Sequence, residues 1–251
     1  MNEAISSRKN EKITRMRKLG SFRAARREFG EFLCDGEKLL LEALKNGADI
    51  RMILTADELR VKVPENIPIY SVPMGVIEAV SPLKNPQSIL FSCAIPKKRG
   101  EIRRGAHIIL ENMQDPGNVG MVMRTANAFL MADVILVGSC ADPYNPKAVR
   151  ASMGAVFRQR VYEAGYEDIE KLRRSGLRLY GAALGEGSVD IRKVDLKNTA
   201  VVIGSEGQGL SEKMLSICDG RVIVPMNPAC ESLNAGVAAA VVMWEMRRAA
   251  I

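Results

Sequence analysis

Two patterns of apolar positions alternate along this chain: short runs that are apolar almost throughout, and longer stretches where apolar residues return every third or fourth position. The first pattern reads as strands and the second as helices with one buried face. In the first 95 residues, segments 31–34, 52–55, 67–72 and 88–94 are strand candidates. Segment 37–46 (EKLLLEALKN) sets Leu40, Ala43 and Leu44 on one side and is followed by Gly47, a helix with its stop signal. This alternation predicts a small α/β sandwich over residues 1–95. Residues 96–105 (PKKRGEIRRG) have no apolar period and read as a basic linker. Beyond it the alternation is stronger, with strand candidates at 107–110, 133–137, 177–183, 199–203 and 221–224. Helix candidates lie at 119–129, 146–152, 166–174, 211–217 and 235–248. Runs such as AVVI at 200–203 fit a parallel sheet buried on both faces, so residues 106–251 are expected to form a second α/β domain. The apolar stretch 235–244 has no polar face before Glu245 and is about half the roughly 20 residues that span a bilayer, so it reads as a buried helix.

Composition narrows the class. The chain has 251 residues, 47 % hydrophobic and 26 % charged, which excludes a disordered tail, a collagen-like fibre and a disulfide scaffold. Its first residues carry charge but no apolar core of a signal peptide, and five cysteines at irregular spacing form no CxxC pair. Reduced thiols in a cytoplasm follow as the expectation, with no membrane partner. With a single histidine, His107, no metal site is expected, and its place in the strand AHIIL assigns it a structural or pairing role.

The net charge of +7 is concentrated. Between residues 8 and 27 lie nine cations, among them Arg15, Arg23, Arg26 and Arg27, opposed only by Glu11. Such density neutralises phosphates, so these arginines are candidates for binding a nucleic acid. A solvated amphipathic helix is the alternative, because Ile13, Met16 and Leu19 recur at a three-residue step.

Standard catalytic arrangements fail by elimination. Gly204 and Gly209 have the gap of a phosphate loop, but Leu210 stands where its lysine belongs, and Gly207-x-Gly209 lacks the third glycine of a dinucleotide fingerprint. Three segments remain. Asp115-Pro116-Gly117-Asn118 opens a helix with Asn118 near its cap, and Arg124 follows on an otherwise apolar stretch, where a guanidinium needs an anion or a local salt bridge. Gly204-Ser205-Glu206-Gly207-Gln208-Gly209 leaves a buried strand and carries one carboxylate. Val224-Pro225-Met226 and Glu231-Ser232-Leu233-Asn234 lead into the last helix. All three lie where ligands bind an α/β sheet.

Together these segments resemble the three motifs of the SpoU (TrmH) family of RNA ribose 2′-O-methyltransferases in the SPOUT superfamily, over about residues 105–250. Residues 145–155 (NPKAVRASMGA) resemble the family's connecting segment. The first half, with Arg27, Gly30, Phe32, Asp35-Gly36 and Glu42-Ala43-Leu44, resembles the substrate-binding domain of many members, a sandwich similar to an RNA-binding ribosomal protein. The resemblance implies a C-terminal trefoil knot, a homodimer and S-adenosyl-L-methionine as methyl donor. It implies donor contacts from Gly204, Val224, Met226, Ser232 and Leu233. It places Asn118, Arg124, Glu206, Ser232 and Asn234 around the methyl-transfer centre. Leu130 departs from the glycine usual after Ala-Phe. The implied activity is 2′-O-methylation of structured RNA, with ribosomal RNA favoured over transfer RNA. A non-catalytic RNA-binding protein of ribosome assembly is the alternative, and the five polar motif residues argue against it.

Overall fold

A computed structural model describes residues 3–96, 101–102, 105–227, 229–230 and 232–248. Most of the basic linker and Glu231 therefore lie outside the described residues. The first elements are β1 (Glu3–Ala4), α1 (Glu11–Ser21), α2 (Arg23–Phe29), β2 (Glu31–Asp35), α3 (Glu37–Lys45), β3 (Ile50–Thr55), β4 (Ile69–Ser71), α4 (Met74–Val80) and β5 (Ile89–Ala94). There follow β6 (His107–Glu111), α5 (Pro116–Ala128), β7 (Asp133–Val137), α6 (Pro146–Ala151), β8 (Val161–Ala164) and α7 (Tyr166–Arg174). The chain ends with β9 (Arg178–Ala182), β10 (Ser188–Asp190), β11 (Thr199–Ile203), α8 (Glu212–Ile217), β12 (Gly220–Ile223) and α9 (Ala235–Arg247).

The chain divides into two compact units, 1–99 with 142–158, and 100–141 with 159–251. The first holds a five-stranded mixed sheet in the order β1-β4-β3-β5-β2. Asn10 caps α1, accepting from Lys12 N at 2.9 Å, and Ile13, Met16 and Leu19 pack inward against Leu33, Leu54 and Leu90. The basic segment is thus a helix with a buried apolar stripe, and that stripe decides which cations face water.

Segment 142–158 departs from the expected continuous second domain, because its apolar groups join the first unit. Phe32 packs against Tyr144 and Phe157 with ring centroids 5.0 and 6.2 Å away. Pro146, Ala148 and Val149 of α6 are buried, and Arg158 pairs with Glu42.

The second unit is built on a parallel seven-stranded sheet in the order β10-β12-β9-β11-β6-β7-β8. Every residue of β6, β7 and β11 is buried, which is why these strands read as unbroken apolar runs. Edge strands β8 and β10 lacked such a run because they are half exposed. His107 is fully buried with its Nδ1 3.4 Å from Asp133 Oδ2, and Arg160 Nε meets the other carboxylate oxygen at 3.0 Å, the pairing role expected of it.

Leu110, Ile203, Ala182 and Val222 stand in register across four neighbouring strands. The loops after β6, β11, β9 and β12 therefore leave the sheet at one edge. Helix α9 buries Ala235, Ala239, Val242 and Met243, while Val237, Val241 and Trp244 are exposed, so it is not enclosed within this chain. No helix among the described residues is long and apolar enough to cross a membrane.

Candidate active site

Three loops at that edge each deliver one polar side chain. After β6, Asp115 rather than Asn118 caps α5: its Oδ1 accepts from Gly117 N at 2.6 Å, and Pro116 takes the first helical position. Asn118 falls in the first turn and is 7 % exposed. After β11, the glycine loop closes on itself, with Ser205 and Gly209 exchanging both backbone hydrogen bonds at 3.2 and 3.0 Å. Gly204 cannot carry a side chain there, since a Cβ would stand 2.2 Å from the Gly209 carbonyl. Glu206 projects from this turn. Asn234 caps α9, its Oδ1 accepting from Gly236 N and Val237 N at 3.0 and 3.2 Å.

The three meet on one oxygen. Glu206 Oε1 accepts from Asn118 Nδ2 at 2.8 Å, from Asn234 Nδ2 at 2.6 Å and from Ala235 N at 3.3 Å. Asn234 Nδ2 also lies 3.3 Å from Asn118 Oδ1. Below them, buried Glu111 anchors the far end of the glycine loop: it accepts from Ser211 N at 2.9 Å, Ser211 Oγ at 2.5 Å and the Tyr166 hydroxyl at 2.8 Å. Burial and this carboxylate push the Tyr166 hydroxyl above the ordinary phenol range. Glu111 carried no sequence signal beyond ending an apolar run.

Other expected members stand apart. Arg124 is exposed on α5 and makes no hydrogen bond or ion pair among the described residues, so neither a buried anion contact nor a local salt bridge holds it. Ser232 is exposed too, and its carbonyl lies 3.6 Å from Cys230 Sγ. Leu130 has φ 53°, the left-handed conformation that favours glycine at a helix end, which explains the usual residue there.

Gly204 follows β11, Val224 and Met226 follow β12, and Leu233 precedes α9. Val224, Met226 and Leu233 are half-buried. Apolar side chains beside strand-end backbone groups suit a flat ring with hydrogen-bonding edges, which fits the adenosyl part of S-adenosylmethionine. A separate polar cavity of about 660 Å³ has Asn118 and Glu206 in its wall and none of these four residues.

In the first unit the four candidate arginines divide. Arg26 is 3 % exposed, with Nε 2.7 Å from Asp142 Oδ2 and Nη1 2.7 Å from the Leu19 carbonyl, so burial removes it from any phosphate-binding face. Arg15 pairs with Glu31 at 2.6 Å and lies over the Phe29 ring. Arg23 is half-buried, and Arg27 is exposed. Arg17 and Lys18 are exposed as well, as their places off the Ile13-Met16-Leu19 stripe imply.

A profile of the SpoU rRNA Methylase family matches residues 105–244, and one of the MRM3-like substrate binding domain matches residues 10–90. The chain is 31 % identical to the 23S rRNA (guanosine(2553)-2′-O)-methyltransferase RlmP of Bacillus subtilis, covering 97 % of this chain and 98 % of that protein. It is 32 % identical to the tRNA (guanosine(18)-2′-O)-methyltransferase of Thermus thermophilus, but over only 56 % of this chain and 73 % of that one. The crystal structure of an AdoMet-bound rRNA methyltransferase from Sinorhizobium meliloti superposes with a TM-score of 0.89 at 27 % identity, covering 99 % of this chain and 98 % of that one.

Proposed function

The chain belongs to the SpoU rRNA methylase family, and from that premise we propose that it methylates a ribose 2′-hydroxyl in structured RNA, using S-adenosylmethionine. The observation that carries this is the convergence of Asn118, Glu206 and Asn234, from three separate motifs, on a single carboxylate oxygen. A protein that only binds RNA has no use for that constellation. Ribosomal RNA is favoured over transfer RNA because the rRNA-specific relative aligns over both units, whereas the tRNA-specific one aligns over about half the chain.

Gly204, Val224, Met226, Ser232 and Leu233 would hold the donor, whose sulfonium supplies an already activated methyl group. The protein's task is then alignment and stabilisation of charge on the attacking oxygen. Arginine stays protonated at working pH and cannot serve as the base. Arg124, exposed and without an internal partner among the described residues, instead orients the adjoining phosphate and steadies the developing alkoxide. The hydroxyl proton leaves to that phosphate or to solvent. Asn118 and Asn234, locked by Glu206, fix the edge of the site against which the ribose sits.

RNA is gripped in this reading by Arg27, with Arg15 and Arg23 beside it. Two copies pair through the exposed stripe of Val237, Val241 and Trp244 on α9, which leaves an apolar face uncovered in one chain. The trefoil knot and a cytoplasmic location belong to the same reading.

The test is incubation with tritiated S-adenosylmethionine and unmodified rRNA or tRNA transcripts. Label recovered in nuclease-resistant 2′-O-methyl dinucleotides from rRNA is the expected result. Label in a base, or none at all, refutes it.

A further inference from the structure

The polar cavity beside the triad is not bordered by the residues assigned above to the methyl donor, and its other side chains sort by hydrogen bonding. Asn112 and Asp115 are engaged: Asn112 Oδ1 accepts from Ser139 N at 2.8 Å, and Asp115 Oδ1 caps α5. The side chains of Gln114, Ser139, Ser205 and Gln208 make no hydrogen bond among the described residues. Gln114 follows β6 and Gln208 lies in the loop after β11, and those two strands are paired neighbours. Two exposed amides from adjacent loops thus face one cavity with their donors and acceptors open.

The wall also says what does not enter. No lysine, arginine or aromatic side chain borders the cavity among the described residues, while the carboxylates of Asp115 and Glu206 do. A phosphate would be repelled, and with no ring in the wall to stack on, a planar ligand is held here by its edge and not by its faces. What remains is a neutral group with a hydrogen-bonding edge. A volume of about 660 Å³ is in the range of pockets that take small organic ligands, roughly 300–1,000 Å³. Because Asn118 and Glu206 line this same cavity, its occupant lies directly beside the triad.

We infer that the cavity receives the base of the nucleotide being methylated, turned out of its helix or loop, and that Gln114 and Gln208 read its edge. A primary amide offers a donor and an acceptor at the spacing of a base edge, which suits it to this task. A base seated here sets its own ribose against Asn118 and Glu206. The inference rests on the ribose-methylation reading and adds the specificity determinant that reading lacks.

Tritiated S-adenosylmethionine with small- and large-subunit rRNA transcripts and tRNA transcripts first locates the target nucleotide. Transcripts carrying each of the other three bases at that position then give discrimination as a ratio of kcat/KM. Wild type is expected to prefer one base. Gln114→Ala and Gln208→Ala are each expected to reduce that preference roughly tenfold, with Kd for S-adenosylmethionine and Tm unchanged. Wild type acting equally on all four bases, variants keeping the full preference, or variants losing donor binding would each overturn the inference while methyl transfer itself stands. No label on any transcript with wild type would remove the ribose-methylation reading, and this inference with it.

Discussion

Asn234→Asp separates the two jobs of one side chain. Its Oδ1 caps α9 through Gly236 N and Val237 N, and an aspartate keeps that cap with a favourable helix-dipole contribution of about 0.3–1 kcal/mol. Its Nδ2, 2.6 Å from Glu206 Oε1, becomes an acceptor facing an acceptor. Two unit charges at that distance repel by about 1.6 kcal/mol in bulk water and about 6 kcal/mol at an effective dielectric near 20. Both side chains are exposed, so solvent screening selects the lower figure. The net cost is about 0.6–1.3 kcal/mol, so the variant is expected to fold with a Tm about 1–5 °C below wild type while the triad opens. Methyl transfer is expected to fall about a hundredfold, the scale for losing one positioned polar contact. Asn234→Ala loses the cap as well, about 1 kcal/mol, and should melt about 2–4 °C lower. Scanning fluorimetry and single-turnover transfer measure both. Wild-type turnover by Asn234→Asp would refute the assignment of the two atoms.

Arg124→Ala is expected to lower transfer at least a hundredfold with no change in Tm and no loss of donor binding by calorimetry; Arg124→Lys should recover little if a planar fork is needed. Arg26→Ala strands the Asp142 carboxylate and should cost about 3–5 kcal/mol in urea unfolding, whereas Arg27→Ala should weaken RNA binding, with a shallower salt dependence. Burial raises the Asp35 carboxyl above its ordinary range, outweighing its bonds from Gln87 N and Ser81 Oγ. A raised carboxyl favours the fold below the unfolded-state pKa, and that contribution is lost as pH rises through the folded one. Asp35→Asn should therefore stabilise the protein at neutral pH, with the gain shrinking as pH falls through the carboxylate range; a gain that persists at acid pH would contradict the burial argument. Trp244→Glu should yield monomers by light scattering if α9 pairs two copies.

Much of the architecture was legible because its cause is local. Apolar runs such as 199–203 announce strands covered on both faces, and the Ile13-Met16-Leu19 step announces a helix with a buried stripe. The polar motif residues were legible too, since an asparagine at a helix start and a carboxylate in a glycine loop have little reason to be there for packing alone. Edge strands β8 and β10 were not, because a half-exposed strand needs no apolar run.

What the order of residues determined by itself was the alternation of elements and the identity of the three chemical segments, both properties of short stretches of chain. Only the tertiary structure decided which groups meet: Asn118 and Glu206 are 88 residues apart, and Arg26 and Asp142 are 116 apart. The second pairing turned an expected phosphate ligand into a buried structural cation, because an ion's role depends on what lies across from it in space. Strand register did the rest, since four parallel strands ending at one level bring their loops to a common edge that no local pattern specifies.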